Sequence, residues 1–278
     1  MPEGPEVHTM SDELQTLIGT EIVEILIDSN SRYKDGIDEY EELTKYLPLS
    51  ITWIGAIGKK LIFSLGDRDR DKWYIISSLG MEGRWSYNYL GSNTNLIIVI
   101  KSRDTAVQKE FYLYFDDSRH FGTFKITRFF NVYDKLGTDP LIERFTFSDW
   151  KRDLDREQSG KHGYRPIADT LIDQSFISGI GNYLRAEILY RAKVAPNRPI
   201  VSINQNESRN IWRFILDVMK ESYNCGGFTL RTYQRPNGQK GGFIPKIYNR
   251  RTDPDGRRVE RWITSDRRSV FWVPEVQK

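Results

Sequence analysis

The apolar positions of residues 5–18 ("PEVHTMSDELQTLI") return at helical spacing. Val7, Met10, Leu14 and Leu17 share one face, and Pro5 suits a first turn. From about residue 20 to residue 128 the repeat shortens. The runs "EIVEILI", "LIFSL", "WYIISSL", "NLIIVI" and "FYLYF" are β-branched or aromatic and divided by Gly, Asp, Asn and Ser. Strands at such short intervals predict a sandwich or barrel, and "IDEYEELTKYL" interrupts them as a helical insertion. From about residue 146 the helical period returns. It is read in "FSDWKRDLDRE", with Ser148 as an N-cap candidate, and in "IADTLIDQ", "NYLRAEILYRA" and "NESRNIWRFILDVMKESY". The last should end near Gly226 and Gly227, which tolerate a left-handed cap. Beyond about residue 229 short strands return around the turn signals "RPNG" and "DPDG". The expected fold class is α+β: a leading helix and an N-terminal β-sandwich domain, then a helical domain ending in an antiparallel β-hairpin.

Composition narrows this picture. The 278 residues suffice for two modest domains, and 38% hydrophobic with 13% aromatic content predicts a folded chain. The one cysteine, Cys225, excludes an intramolecular disulfide and a multi-cysteine metal cluster, and a single buried thiol fits a reducing compartment. Pro2, Glu3, Gly4, Pro5 and Glu6 break any secretory pattern, and runs such as "LIIVI" are too short to span a bilayer. A soluble intracellular protein without membrane contact is expected. The net charge is only +3, but residues 231–278 hold 12 basic and 5 acidic residues, leaving 29 and 33 for the remainder. A basic C-terminal lobe on a near-neutral body suits a polyanion held at one surface, and equally a solvated tail. The aromatic residues of "RWI" and "VFW" among the arginines favour a folded hairpin.

Five short stretches carry candidate chemistry. In "SGIGNYLRAEIL" two glycines precede a helix starting at Asn182, an arrangement that offers amides and a side-chain donor to a phosphate, or serves as a plain interhelical turn with an Asn cap. In "DDSRHFG", Arg119, His120 and Phe121 follow a strand. The aromatic side chain could wedge between bases while the cations hold a phosphate and an orphaned base; the other reading is a strand-end turn. Met81 of "LGMEGRW" is a second wedge candidate or a core residue, and "IGKKL" puts Lys59 and Lys60 between strands, where alternation would point one inward. At the N-terminus, Pro2 would carry a secondary amine beside the carboxyl of Glu3. An α-amino group titrates at about 7.7–8.0, so a neutral, nucleophilic fraction exists near neutral pH.

The order Pro2-Glu3, Gly58-Lys59, Met81, Arg119 with Phe121, Gly-Ile-Gly-Asn182 and Arg268 resembles the formamidopyrimidine-DNA glycosylase/endonuclease VIII (Fpg/Nei) family, and the likeness runs from residue 2 to residue 277. "PEGPE" is more similar to the endonuclease VIII side than to the "PELPE" of the purine-directed side. The resemblance implies a β-sandwich catalytic domain over 1–128, a linker over 129–145, a helix–two-turn–helix domain over 146–228, and a lesion loop with a finger over 229–278. It implies a bifunctional DNA glycosylase and abasic-site lyase of base excision repair, a monomer acting on damaged double-stranded DNA, with single strands left open. Loss of Met1 would make Pro2 the nucleophile, with Glu3 and Lys59 as further catalytic residues and Glu6 in support. Asn182, Arg268 and His120 would bind DNA, and Met81, Arg119 and Phe121 would fill the void left by the flipped nucleotide. The polar, Gly-rich stretch 231–242 would face the lesion.

Family members commonly end in a zinc finger of two cysteine pairs. Asp255, Arg258, Val273 and Val276 stand at those places here, so no metal is expected, and this resembles the zincless finger of some Nei-like glycosylases. Valine packing with Ile263 and nearby aromatic residues would replace the ion. The competing class is a non-catalytic nucleic-acid-binding protein that uses the unit around Asn182.

Overall fold

The computed structural model describes residues 1–67, 70–102, 109–229 and 234–278. The chain divides into two compact units. The sheet unit comprises Met1–Pro2, Glu6–Val132 and Gly226–Gly242; the helical unit comprises Glu3–Pro5, Tyr133–Cys225 and Phe243–Lys278.

In the sheet unit, α1 (Gly4–Leu14, whose first two residues count with the helical unit) precedes eight strands. These are β1 (Glu21–Ile27), β2 (Leu49–Ile57), β3 (Lys60–Asp67), β4 (Arg70–Ser78), β5 (Arg84–Ser86), β6 (Thr94–Lys101), β7 (Glu110–Asp116) and β8 (Thr123–Thr127). A short α2 (Tyr40–Thr44) falls inside the expected helical insertion. The strand order is β5-β7-β6-β1-β2-β3-β4-β8, all antiparallel. The β1–β2 link is only two residue pairs, Glu21↔Ser50 and Ile22↔Leu49, so the strands form two four-stranded halves.

Alternation turns Ile22, Ile98, Leu113 and Phe115 of one half, and Ile54, Phe63, Ile75 and Ile126 of the other, into a single buried cluster. Trp85 of β5 meets Phe63 of β3 edge to face, ring centroids 5.3 Å apart, and its indole N–H donates to Ser77 Oγ of β4 at 2.9 Å. A buried indole needs such an acceptor. Val7, Met10, Leu14 and Leu17 join this core, which is why that helical stripe was readable. The expected sandwich is therefore the fold.

The helical unit holds α3 (Phe147–Ser159), α4 (Ile167–Leu171), α5 (Asn182–Ala192) and α6 (Gln205–Asn224), then the hairpin β9 (Glu260–Ile263) and β10 (Ser269–Trp272). The cap of α3 is Thr146 rather than Ser148. Thr146 Oγ1 accepts from Asp149 N–H and the Asp149 carboxylate accepts from Thr146 N–H, a reciprocal box that Ser148 sits too late to make. Asn204 and Glu207 form the same box at α6, which stops as expected before Gly226, at φ +71°. Cys225 is exposed at that C-cap, not buried, because the helix ends there instead of carrying it into a core. No helix among the described residues is long and apolar enough to cross a membrane.

The C-terminal hairpin rests on α5. Val273 and Phe271 are buried with Ala186, Tyr190 and Ile247, and Val276 packs against them. Ile263 takes no part: it is 57% exposed and pairs with Ser269 next to the hairpin turn, beyond the reach of this cluster. A polar knot that the sequence did not announce lies beside the valines. The buried Asp253 carboxylate accepts from Arg257 Nε (2.7 Å), Arg257 N (2.8 Å), Asp255 N (3.0 Å) and the Tyr190 hydroxyl of α5 (3.1 Å). Gln277 adds a second tie, accepting from Val273 N–H at 2.7 Å and donating to Val194 O at 2.9 Å.

Burial alone would raise the Asp253 carboxyl; the hydrogen bonds from Arg257 and Tyr190 outweigh it and hold the group below the usual carboxylate range. A depressed carboxylate contributes stability above its unfolded value, about pH 3.9, that is lost as pH falls through the lower folded value. Asp253→Ala should cost about 1–3 kcal/mol and lower the melting temperature. In the wild-type protein, amide hydrogen exchange across 253–273 should rise on acidification below about pH 4. Unchanged melting together with unchanged exchange would remove the knot as a support.

Candidate active site

The N-terminal residues are fixed by α5. Glu3 is 1% exposed. Its Oε2 accepts from Gly181 N–H at 2.7 Å and Leu184 N–H at 3.3 Å, and its Oε1 from Tyr183 N–H at 2.9 Å. Gly4 N–H donates to Gly179 O at 2.8 Å, laying the chain along the Gly-Ile-Gly turn. The first amides of a helix lack partners within it and its dipole favours an anion there, so the N-terminus of α5 takes the chain's own carboxylate. This corrects the expectation of amides left for a phosphate, and Asn182 is not the cap either. A Cβ on Gly181 would lie 2.4 Å from Glu3 Cδ, which is why glycine stands there.

Asn182 is the first residue of α5, and its side chain is fully oriented. Its Oδ1 accepts from Arg185 Nε (3.0 Å) and Nη2 (2.8 Å), while its Nδ2 donates to Ser269 O of β10 at 3.1 Å. Arg185 is entirely buried, and burial lowers its pKa against the opposing charges of Asp266, Asp169 and Glu3. Asp169 of α4 in turn accepts from Ser265 Oγ at the hairpin tip, at 2.9 Å. That tip presents Arg268, half exposed, with Nε 3.1 Å from Asp266 Oδ2.

Two residues of this region were not read from the sequence. Tyr248 is half-buried, and burial first, then the Glu3 charge, raises its pKa, with a hydrogen bond from Asn182 acting the other way. Glu187, fully buried, accepts from the amides of Lys246, Ile247 and Tyr248, each at 2.9 Å, and so fixes the segment carrying that tyrosine. A charged residue on the apolar side of "NYLRAEIL" was the available signal.

In the sheet unit the wedge candidates come together. Gly80, at φ +57°, has the backbone of Phe121 where a Cβ would be, 2.4 Å from its carbonyl carbon, so the loops of Met81 and Phe121 touch. Met81 is 39% and Phe121 55% exposed. The Arg119 guanidinium lies 5.2 Å from the Phe121 ring centroid and 3.8 Å from Glu82. Asp117 shapes the turn by accepting from the amides of Arg119 and Gly122. His120 adopts φ +57°, its Nδ1 3.3 Å from Asn95 Oδ1 and its carbonyl accepting from Arg32 Nη1 at 2.7 Å. Lys59 lies in the tight β2–β3 turn, half-buried; Lys60 opens β3, where burial lowers its pKa. Glu6, fully buried, accepts from Phe228 N–H at 2.7 Å.

Of the expected lesion-facing stretch 231–242, residues 231–233 lie outside the described residues. The rest is fastened to the sheet unit through Arg84 and Gln234, through an Arg235–Glu13 ion pair, and through Thr229 Oγ1 donating to Gly241 O at 2.6 Å.

The residues at the finger's cysteine places do not suit zinc. Val273 is buried and Val276 packs beside it, Asp255 is exposed and paired with Arg257, and Arg258 is a cation. Among the described residues no group of three His, Cys, Asp or Glu could hold a metal ion.

Comparison with known proteins gives this arrangement a lineage. A formamidopyrimidine-DNA glycosylase N-terminal domain matches residues 1–124, and a formamidopyrimidine-DNA glycosylase H2TH domain matches 136–234. The formamidopyrimidine-DNA glycosylase of Thermus thermophilus is 30% identical over 98% of this chain and 97% of its own; that of Desulfitobacterium hafniense is 30% identical over 98% of each. The crystal structure of the MutM (Fpg) protein of Thermus thermophilus superposes with a TM-score of 0.82 at 29% identity, covering 99% and 98% of the two chains. A Lactococcus lactis Fpg solved with DNA containing an abasic site has the same fold, with a TM-score of 0.81 at 22% identity and 99% coverage of each chain. The fold is that of a DNA glycosylase of base excision repair. The chain belongs to the formamidopyrimidine-DNA glycosylase/endonuclease VIII family.

Gly181→Ala tests the Glu3 seat directly. The added methyl group must displace a carboxyl group pinned by three amides, so base excision should fall about a hundredfold while the protein stays folded. Single-turnover excision kinetics beside circular dichroism would check this, and wild-type kinetics in a folded variant would contradict it.

Proposed function

We propose that this chain is a bifunctional DNA glycosylase and abasic-site lyase. It removes oxidised bases, mainly pyrimidines and hydantoins, from damaged double-stranded DNA through an N-terminal proline. The observation that carries the reading is the Glu3 carboxyl group, shut from solvent and fixed by three amides one residue from Pro2.

Loss of Met1 frees a secondary amine at Pro2. Its nitrogen attacks the sugar C1′, the C1′–N bond breaks, and the electron pair leaves with the base, which takes a proton. The ring C1′–O4′ bond then opens. O4′ takes a proton, a step assigned to Glu3, and an iminium joins Pro2 to the sugar. The iminium acidifies C2′–H; loss of that proton expels the 3′ phosphate, and a second elimination expels the 5′ phosphate. Water then releases Pro2.

Lys59, His120, Asn182 and Arg268 are assigned to the phosphates around the flipped nucleotide. Asn182 is assigned here from its place at the first turn of α5, with its side chain oriented by Arg185 and Ser269. Met81, Arg119 and Phe121 fill the gap, which costs a few kcal/mol in lost stacking. Their partial exposure and the contact between their loops support this role. Glu6 supports the N-terminal helix from its buried bond to Phe228. The finger works without zinc, held by the valine cluster and the Asp253 knot.

Borohydride should trap the wild-type protein on duplex DNA with an abasic site. Pro2→Gly, or a protein retaining Met1, should lose trapping and base release by about a hundredfold or more, with DNA binding kept. Undiminished trapping with Met1 in place would refute the nucleophile. Elemental analysis should find no stoichiometric zinc, and a chelator should leave excision unchanged, whereas Arg268→Ala should reduce it sharply. Activity lost to chelator and restored by zinc would overturn the metal-free finger.

A further inference from the structure

The loop that carries Arg119, His120 and Phe121 is held in a shape it would not keep alone. His120 sits at φ +57°, a left-handed conformation that is unfavourable for a residue with a Cβ. Such a turn persists only where its surroundings over-determine it. At the base of the loop, the buried Asp117 carboxylate does part of this by accepting from the amides of Arg119 and Gly122. The rest comes from residues 31–33, between β1 and α2, a stretch that no motif marks.

Arg32 supplies the outer tie. Its Nη1 donates to His120 O at 2.7 Å and to Gly122 O at 3.1 Å, so one nitrogen holds the carbonyls on either side of Phe121. The guanidinium carbon lies 5.2 Å from the Tyr33 ring centroid, and the Tyr33 hydroxyl accepts from Phe124 N–H at 2.7 Å. Asn95 of β6, 1% exposed, joins the two segments. Its Nδ2 donates to Asn93 O at 3.3 Å and to Asp117 O at 3.2 Å. Its Oδ1 accepts from Ser31 Oγ at 3.3 Å and from Arg32 N–H at 3.4 Å, and faces His120 Nδ1 at 3.3 Å. Both amide hydrogens of Asn95 are spent on carbonyls, so His120 Nδ1 is the donor in that last contact. Phe121 stays 55% exposed between two pinned carbonyls. A side chain that enters a base stack has to arrive in one orientation, and that orientation is set by the backbone beneath it.

We infer that Arg32, itself oriented by Asn95 and Tyr33, is a positioning residue for Phe121. It acts through the loop that fills the gap and not on the flipped nucleotide. The inference rests on the gap-filling reading above and deepens it.

A double-mutant cycle tests this. Phe121→Ala and Arg32→Ala should each slow single-turnover excision of an oxidised pyrimidine from duplex DNA about tenfold. The double variant should be less than about twofold slower than Phe121→Ala alone, because the group that Arg32 positions is already gone. Affinity for undamaged duplex, read by fluorescence anisotropy, should stay within about twofold of wild type in Arg32→Ala. If Arg32→Ala fails to fold, Arg32→Met, which keeps an apolar stem over Tyr33 and loses both donated bonds, takes its place in the cycle. Additive losses in the double variant would overturn the inference. So would wild-type excision by Arg32→Ala, or a fall in undamaged-duplex affinity that matches the loss of excision, which would make Arg32 a phosphate ligand. Wild-type excision by Phe121→Ala would instead overturn the gap-filling reading, so the two failures are distinguishable.

Discussion

The seat of Glu3 on the first turn of α5 is the constraint around which the helical unit is organised. Three amides converge on one carboxyl group, and that geometry leaves room for no side chain at residue 181 and little at residue 4, where a Cβ would stand 3.0 Å from Gly179. The helix gains an anion where its unpaired N–H groups need one. The residue after Pro2 gains a fixed position, which is what the proposed N-terminal nucleophile would need, because an amine is a useful nucleophile only when held at attack distance. A chain terminus is ordinarily the least ordered part of a domain; here it is anchored by a carboxyl group buried as deeply as the core.

Buried carboxylates recur as the organising device of the irregular parts. Glu187 gathers the amides of three consecutive residues, 246–248, and Asp253 gathers two amides, a guanidinium and a phenol. Each sits beside α5 or on it, so the segments after residue 242 are ordered by polar ties to one helix as much as by the small apolar cluster of Val273 and Phe271. The arrangement also explains why Arg185 tolerates complete burial. Its guanidinium meets Asn182, Ala168 O and, at 3.9 Å, Asp169, so its charge is shared through hydrogen bonds.

What the sequence made legible follows from what local pattern encodes. The stripe of Val7, Met10 and Leu14, the strands "EIVEILI" and "NLIIVI", and the glycine stop of α6 depend on near neighbours, and all stand where the pattern put them. The partner of the Gly-Ile-Gly amides was not legible, because it arrives from 178 residues away. Glu187 and Asp253 were passed over for the same reason: an isolated acid among mixed residues reads as solvated surface until the fold brings amides to it. Ile263 misled in the opposite sense, since its place beside the hairpin turn, and not its face, keeps it from the cluster.

From Phe243 to its end the chain contains neither cysteine nor methionine. Where thiolates tie a hairpin together, peroxide can convert them stepwise to oxyacids and dissolve the tie. The ties here are a carboxylate, a phenol, an amide side chain and two valines, none of which peroxide attacks as it attacks a thiolate. The clamp that presents Arg268 therefore lacks the thiolates through which peroxide would loosen it.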